Sequence, residues 1–204
     1  MMPAIVAAVL SLEGLAVVLA LAYLILAARE NIWCWYCALV SSALYVLIMW
    51  EAQLYTEAAL NLFYVVMAIL GWYQWKAGGK DHSGVGIVSL RAGQHVALFA
   101  LMLLLASANG WAMQRWTNSA WPFVDSFITW GSVITTFLVV RKVLENWLYW
   151  IVIDGLAIFV YIDRGLGLTA LLFALYVVIV VFGYFKWRKL YTAEAQALNK
   201  TMGL

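Results

Sequence analysis

Three carboxylates lie inside strongly apolar stretches of the sequence, where ionisable side chains are unusual. Glu13 occurs in SLEGLA, Asp125 in WPFVDS and Asp154 in IVIDGL. A charged group at membrane depth is costly unless it is hydrated, protonated or paired, so such residues often mark the path of a substrate or ion. Asp154, near the centre of a short apolar run, is predicted to line a substrate path. For Glu13 and Asp125, packing or helix capping is an equally good explanation.

Polar and aromatic residues at similar depth complete a candidate binding site. Asn61 and Tyr64 share one helical face with the small residues Ala68 and Gly71, which are expected to leave room beside that face. Trp130 lies near the centre of another apolar stretch, where filling the core and stacking on an aromatic ligand are both reasonable roles. The predicted substrate-binding residues are Asn61, Tyr64, Trp72, Trp130, Asp154 and Tyr176.

Sequence motifs of enzymes and metal sites are missing. There is no HExxH, nucleophile elbow or phosphate-binding glycine loop. Cys34 and Cys37 form a CxxC string at the start of an apolar helix, but a zinc site would need two more ligands, and His82 and His95 lie far along the chain. We interpret the pair as ordinary membrane cysteines, and we predict no catalytic residues, no metal and no cofactor.

The composition indicates a membrane protein. Of 204 residues, 67% are hydrophobic and 11% are charged, and the mean hydropathy is +0.93. A soluble domain is about half apolar and about a quarter charged. The lipid bilayer must therefore cover much of this surface, and the net charge of +2 gives no indication of a nucleic-acid partner. The first residues lack the basic segment of a secretory signal, so the first apolar run is expected to be retained.

Seven apolar runs are long enough to be membrane-spanning helices, each of which needs about 20 residues. They are residues 4–28, 33–50, 54–75, 94–109, 120–140, 147–162 and 167–187. Lys and Arg accumulate in cytoplasmic loops. This set of spans puts ten of the twelve basic residues on the side of the C-terminus and leaves only Arg115 and Arg164 on the other. The N-terminus is predicted to be outside and the C-terminus in the cytoplasm.

The sequence also contains an internal repeat. Residues 58–75 align without a gap with residues 170–187, and seven positions, including a Tyr, a Gly and a Trp, are identical. The strings ENIWCW at 30–35 and ENWLYW at 145–150 share Glu, Asn and Trp. Helices 1–3 are thus predicted to recur as helices 5–7, with helix 4 restoring the direction, in a 3+1+3 arrangement of parallel repeats.

This repeat defines the predicted organisation of the chain. The segments are a first repeat (1–75), a cytoplasmic linker (76–93), helix 4 with an outer loop (94–119), a second repeat (120–189) and a cytoplasmic tail (190–204). Asp125 would be the counterpart of Glu13, although the spacing to the following Glu-Asn string differs by three residues between the copies.

The strings LYTEAALNLFY, GWYQW, PFVDS and RKVLENWLYW together resemble the PnuC family of bacterial vitamin transporters, over about residues 10–190. The resemblance implies an all-α fold similar to full-length SWEET-type transporters. It also implies import of nicotinamide riboside, a precursor for NAD biosynthesis, across the inner membrane. Import would occur by facilitated diffusion, with trapping by a cytoplasmic vitamin kinase.

Three positions depart from the family pattern at places expected to face the ligand. The family often has Gln where Asn61 stands, and Asn where Asp154 and Phe182 stand. Thiamin or another vitamin is therefore an alternative substrate, and a non-transporting membrane scaffold is the alternative from another functional class. The sequence leaves open whether transport is coupled to an ion and whether the chain forms a homo-oligomer.

Overall fold

In the part of the chain that the structure describes, the fold consists of seven α-helices, as the sequence predicts. The computed structural model describes residues 2–79 and 81–202, and it describes the side chains of 12–54, 57–79 and 81–197. The helices are α1 (Met2–Ala28), α2 (Cys34–Glu51), α3 (Tyr55–Ala77), α4 (Ala92–Trp116), α5 (Pro122–Val140), α6 (Asn146–Asp163) and α7 (Gly167–Met202).

Two helices extend well beyond the apolar runs that predict them. α4 continues through Gln114 and Arg115 to Trp116, and α7 continues through the polar tail to Met202. Hydropathy locates only the part of a helix that lies in lipid. The residues that follow in α7, in the string RKLYTAEAQAL, are mostly good helix formers, so the helix continues without apolar burial to support it.

The helices have the length and apolarity of membrane spans. Six of them, α2 to α7, contain a stretch long and apolar enough to cross a bilayer, while α1 is apolar over its described part, Leu12–Ala28. Large apolar side chains point outward, for example Leu168 at 86% and Phe182 at 70% exposure. Because exposure of such a large apolar surface to water is unfavourable, the chain is a multi-pass membrane protein.

The helices form two compact units, divided between Val85 and Gly86. In the first unit, α2 packs against both α1 and α3, and the Ser41 hydroxyl on α2 donates a hydrogen bond to the Ala16 carbonyl on α1, at 2.8 Å. In the second unit, α5 packs between α4 and α6, and α6 packs against α7.

Local structure recurs at a constant spacing of 112 residues. α1 ends at Ala28 and α5 at Val140, α2 and α6 have the same length, and α3 and α7 begin at the same spacing. The residues that follow α1 and α5 include Glu30 (φ 57°) and Lys142 (φ 50°), both in the left-handed conformation that commonly ends helices. This spacing aligns Asp125 with Glu13.

The shared Glu-Asn strings turn out not to be equivalent, which corrects the alignment drawn from them. Glu30 corresponds in the structure to Lys142, and not to Glu145, which is the last residue before α6. Trp35 corresponds accordingly to Trp147. The two Glu-Asn strings are therefore similar by chance, which explains why their spacing differs by three residues from that of the helices.

Candidate functional site

Asp154 lies in the middle of α6 and is only 4% exposed. α6 packs against α5 where Gly131 leaves space for the Ile153 side chain; a methyl group at Gly131 would be 3.1 Å from that side chain. The side chain of the next residue, Asp154, is buried. No side chain in the described part of the chain donates a hydrogen bond to its carboxylate.

Trp130 lies on α5, next to the same helix contact. Its indole nitrogen is buried, and no acceptor among the described residues takes up the N–H. A buried donor without a partner costs free energy, so such groups need an explanation in each case. An acceptor atom on a bound molecule would satisfy this donor.

A chain of aromatic rings continues from α6 to α7 within the second unit. The ring centroids of Tyr161 and Phe173 are 5.0 Å apart, and those of Phe173 and Tyr176 are 5.3 Å apart. The sequence prediction missed Tyr161, although its position seven residues after Asp154 places it on the same face of α6.

The first unit carries the other three predicted residues, all on α3. The Asn61 amide donates a hydrogen bond to the Glu57 carbonyl of its own helix, at 2.9 Å. The Tyr64 ring lies against that of Phe63, at 5.5 Å. Trp72 is nearer the end of α3, where the Lys76 ammonium lies 4.7 Å from its ring centroid.

The space beside Gly71 and Gly183 is filled by tryptophan rings, contrary to the expectation that Gly71 leaves room beside its helical face. A methyl group at Gly183 would be 2.9 Å from the Trp147 ring, and one at Gly71 would collide with Trp35. Each of these rings forms an edge-to-face pair within its own unit. The centroid distance is 5.3 Å both for Trp35 with Trp75 and for Trp147 with Trp187.

These four tryptophans are almost fully buried. Their proximity to helix ends therefore reflects a packing role, and they do not form part of an interfacial aromatic belt. Gly71 and Gly183 have no side chain, so the helix that carries each tryptophan can approach closely and its ring packs against the glycine.

Asp125 takes part in an ion pair at the first turn of α5. The Arg164 guanidinium donates to Asp125 Oδ2 at 2.5 Å, and the Ser119 hydroxyl donates to the same oxygen at 2.6 Å. The Trp121 indole N–H donates to Asp163 at 2.7 Å. This bond is a second link between the start of α5 and the end of α6. Asp125 therefore has a structural role here, whereas Glu13 is exposed.

The buried carboxylate and the aromatic rings of the second unit are suited to binding a ligand. Among the described residues, no three His, Cys, Asp or Glu side chains come together as metal ligands. Cys34 is buried and Cys37 is half-buried, and neither forms a disulfide bond among the described residues. A buried carboxylate near aromatic rings attracts a cation, and the rings stack on a flat ligand.

Comparison with known proteins extends the argument from these contacts to the whole chain. Residues 10–189 match the model of a family described as nicotinamide mononucleotide transporter. The nicotinamide riboside transporter PnuC of Escherichia coli (strain K12) is 23% identical over 187 residues, which cover 79% of this chain and 78% of the relative. The riboflavin/roseoflavin transporter RibM of Streptomyces davaonensis is 24% identical over 174 residues, which cover 83% and 81% of the two chains.

A solved structure is similar as well. It is the crystal structure of the vitamin B3 transporter PnuC, with a TM-score of 0.70 and 25% sequence identity. The match covers 89% of this chain and 82% of the other. The similarity therefore extends over most of both molecules.

Proposed function

Because this chain belongs to the nicotinamide mononucleotide transporter family, we propose that it carries nicotinamide riboside across a bacterial inner membrane. The function is transport and not catalysis. Its relative in Escherichia coli is a nicotinamide riboside transporter. The observation here that supports a cationic vitamin is the buried Asp154 carboxylate, which lacks a described donor; the relative in Escherichia coli favours nicotinamide riboside over thiamin.

The chemistry of nicotinamide riboside matches these side chains. Its pyridinium ring is flat and carries a permanent positive charge. A carboxylate attracts that charge, and aromatic rings stabilise a cation above their faces. The ribose hydroxyls and the carboxamide offer acceptor atoms to the free Trp130 N–H.

The candidate substrate-binding residues are Asn61, Tyr64 and Trp72 on α3 of the first unit and Trp130, Asp154 and Tyr176 of the second unit. Each set is proposed to contact substrate near the middle of the membrane, the depth at which transporters built from repeats bind. The recurrence of helix ends and tryptophan pairs at a spacing of 112 residues supports the 3+1+3 parallel-repeat arrangement, similar to that of SWEET-type transporters.

In the proposed orientation, α1 crosses the membrane, the N-terminus is outside, and the linker and tail are cytoplasmic. The basis is the ten-to-two division of basic residues. Transport would be facilitated diffusion, with a cytoplasmic kinase trapping the product as a phosphate ester. Whether the chain acts alone or as a homo-oligomer does not affect this mechanism.

Riboflavin is the second candidate substrate, because RibM is among the relatives. Riboflavin is uncharged and larger than nicotinamide riboside, so a buried carboxylate gives it no ionic contact. Calorimetry on the purified protein in detergent, with nicotinamide riboside, thiamin and riboflavin as ligands, separates the candidates. Tightest binding of nicotinamide riboside is expected; tightest binding of riboflavin would reassign the substrate.

A further inference from the structure

The segment that joins the two units is held to a helical body on each of its sides. On the first side, Gln74 near the end of α3 accepts hydrogen bonds from the backbone N–H groups of Gly78 (3.0 Å) and Val85 (3.2 Å). The Gly84 N–H donates to the Gly78 carbonyl at 3.0 Å. The chain therefore folds back on α3, and its attachment to the first unit extends as far as Val85.

On the other side, the chain is paired with the loop between α5 and α6. The Val88 N–H donates to the Lys142 carbonyl at 3.0 Å, and the Leu144 N–H donates to the Val88 carbonyl at 2.8 Å. These bonds form an isolated parallel bridge between Val88 and Val143. We call residues 88–90 the strap.

Glu145 accepts hydrogen bonds from the strap with both carboxylate oxygens. The Ser89 hydroxyl donates to Oε1, and the Leu90 N–H donates to Oε2 at 3.2 Å. The His95 ring on α4 lies 3.9 Å from Oε2, and its other nitrogen is 2.9 Å from the Tyr149 hydroxyl on α6. One carboxylate thus connects the strap, the first turn of α4 and the start of α6.

The equivalent loop of the first unit shows that Glu145 is not needed to form the turn itself. After α1, the N–H groups of Arg29, Glu30 and Asn31 make the same backbone bonds that Arg141, Lys142 and Val143 make after α5. At the spacing of 112 residues, the position of Glu145 is occupied by Trp33. A carboxylate at this place therefore has a role beyond the turn, and in this structure that role is holding the strap.

Between the two attachments lie only Gly86, which is exposed, and Ile87, whose side chain is buried; neither N–H makes a hydrogen bond in the described part of the chain. We propose that Gly86 is the hinge between the two units, and that Glu145 makes the strap and α4 move as one body with α5–α7. This rests on the proposed transport function, since a hinge matters only if the units move. Hinges in moving proteins are a few residues that absorb the change in backbone angles.

Residue-resolved hydrogen exchange on the purified full chain tests the attachments without using transport. The amides of Val85, Val88 and Leu90 should be protected, and that of Gly86 should exchange fast. Glu145→Gln should speed exchange at Leu90 by about ten-fold, because a hydrogen bond to a charged group is lost. Ser83→Ala, at an exposed position in the loop between Gly78 and Gly84, should not change it. Uniform protection across 85–90, or an unchanged Leu90 in Glu145→Gln, would overturn the proposal.

Stiffening the hinge tests its part in transport. Gly86→Pro fixes one backbone angle and removes an N–H that has no described partner. It should lower the maximal rate of nicotinamide riboside uptake by at least about five-fold while binding changes less than about two-fold.

Gly86→Ala is the matched control, because a methyl group there would make only an ordinary contact, 3.7 Å from the Glu194 carboxylate. Equal uptake rates for Gly86→Pro and Gly86→Ala would refute the hinge. If the unmodified chain neither binds nor transports nicotinamide riboside, the proposed function fails, and the hydrogen-exchange pattern still decides the attachments.

Discussion

Replacing Asp154 by Asn tests the role of the buried carboxylate with little change of shape. Two unit charges about 5 Å apart interact by about 3 kcal/mol at an effective dielectric constant of about 20. The Asn side chain still offers a polar contact, and water screens part of the charge. The expected loss in binding is therefore about 1–3 kcal/mol, or roughly five- to a hundred-fold in Kd for nicotinamide riboside.

Calorimetry on detergent-solubilised protein measures this loss directly. The reduced, uncharged dihydro form of the ligand is the matched control, because it keeps the size and hydroxyl groups without the charge and should lose much less affinity. Thermal stability should not fall, since no described side chain donates a hydrogen bond to Asp154. Equal affinity of the unmodified chain and Asp154→Asn for the cation would remove Asp154 from the site and leave it a packing residue.

Three further predictions follow from the fold and the site. With the native cysteines replaced, cysteines introduced at Ser83 and Thr201 should resist a membrane-impermeant thiol reagent added to intact cells; efficient labelling of both would reverse the orientation. Gly183→Ala should destabilise the protein by about 1–3 kcal/mol, because the added methyl group overlaps a buried indole ring. Gly155→Ala is the control and should not destabilise it, because nothing lies within 4 Å of a methyl group there. Melting temperatures of the two variants in detergent measure the difference. Trp130→Phe removes an N–H that has no described acceptor, so it should weaken nicotinamide riboside binding by about three- to ten-fold without lowering the melting temperature, and unchanged binding would place Trp130 outside the site.

The number and type of helices could be predicted because a segment that crosses lipid must be a long apolar run, and each such run coincides with a helix. The ends of α4 and α7 could not, because the polar residues that extend them are not selected by lipid. The Glu-Asn strings misled the alignment because identical letters in two loops do not imply identical backbone positions. The equivalence of Glu30 with Lys142 is visible only in their shared left-handed conformation.

For the candidate site, burial was easier to predict than partners. An Asp in the middle of an apolar run is more stable in the protein interior than in lipid, and Asp154 is buried. The space beside Gly71 was misjudged, because nothing in the sequence says that Trp35, 36 residues earlier, fills it. The attachment of the strap by Glu145 was likewise invisible, since Ser89 lies 56 residues away along the chain.

Uptake of labelled nicotinamide riboside by the purified protein in liposomes tests the central claim most directly. With equal salt and pH on both sides, we predict saturable uptake that stops when the internal and external concentrations are equal, because no kinase is present to trap the product. Unlabelled nicotinamide riboside should compete for this uptake better than thiamin or riboflavin. Uptake no faster than in protein-free liposomes, from a preparation that is folded, would contradict the account.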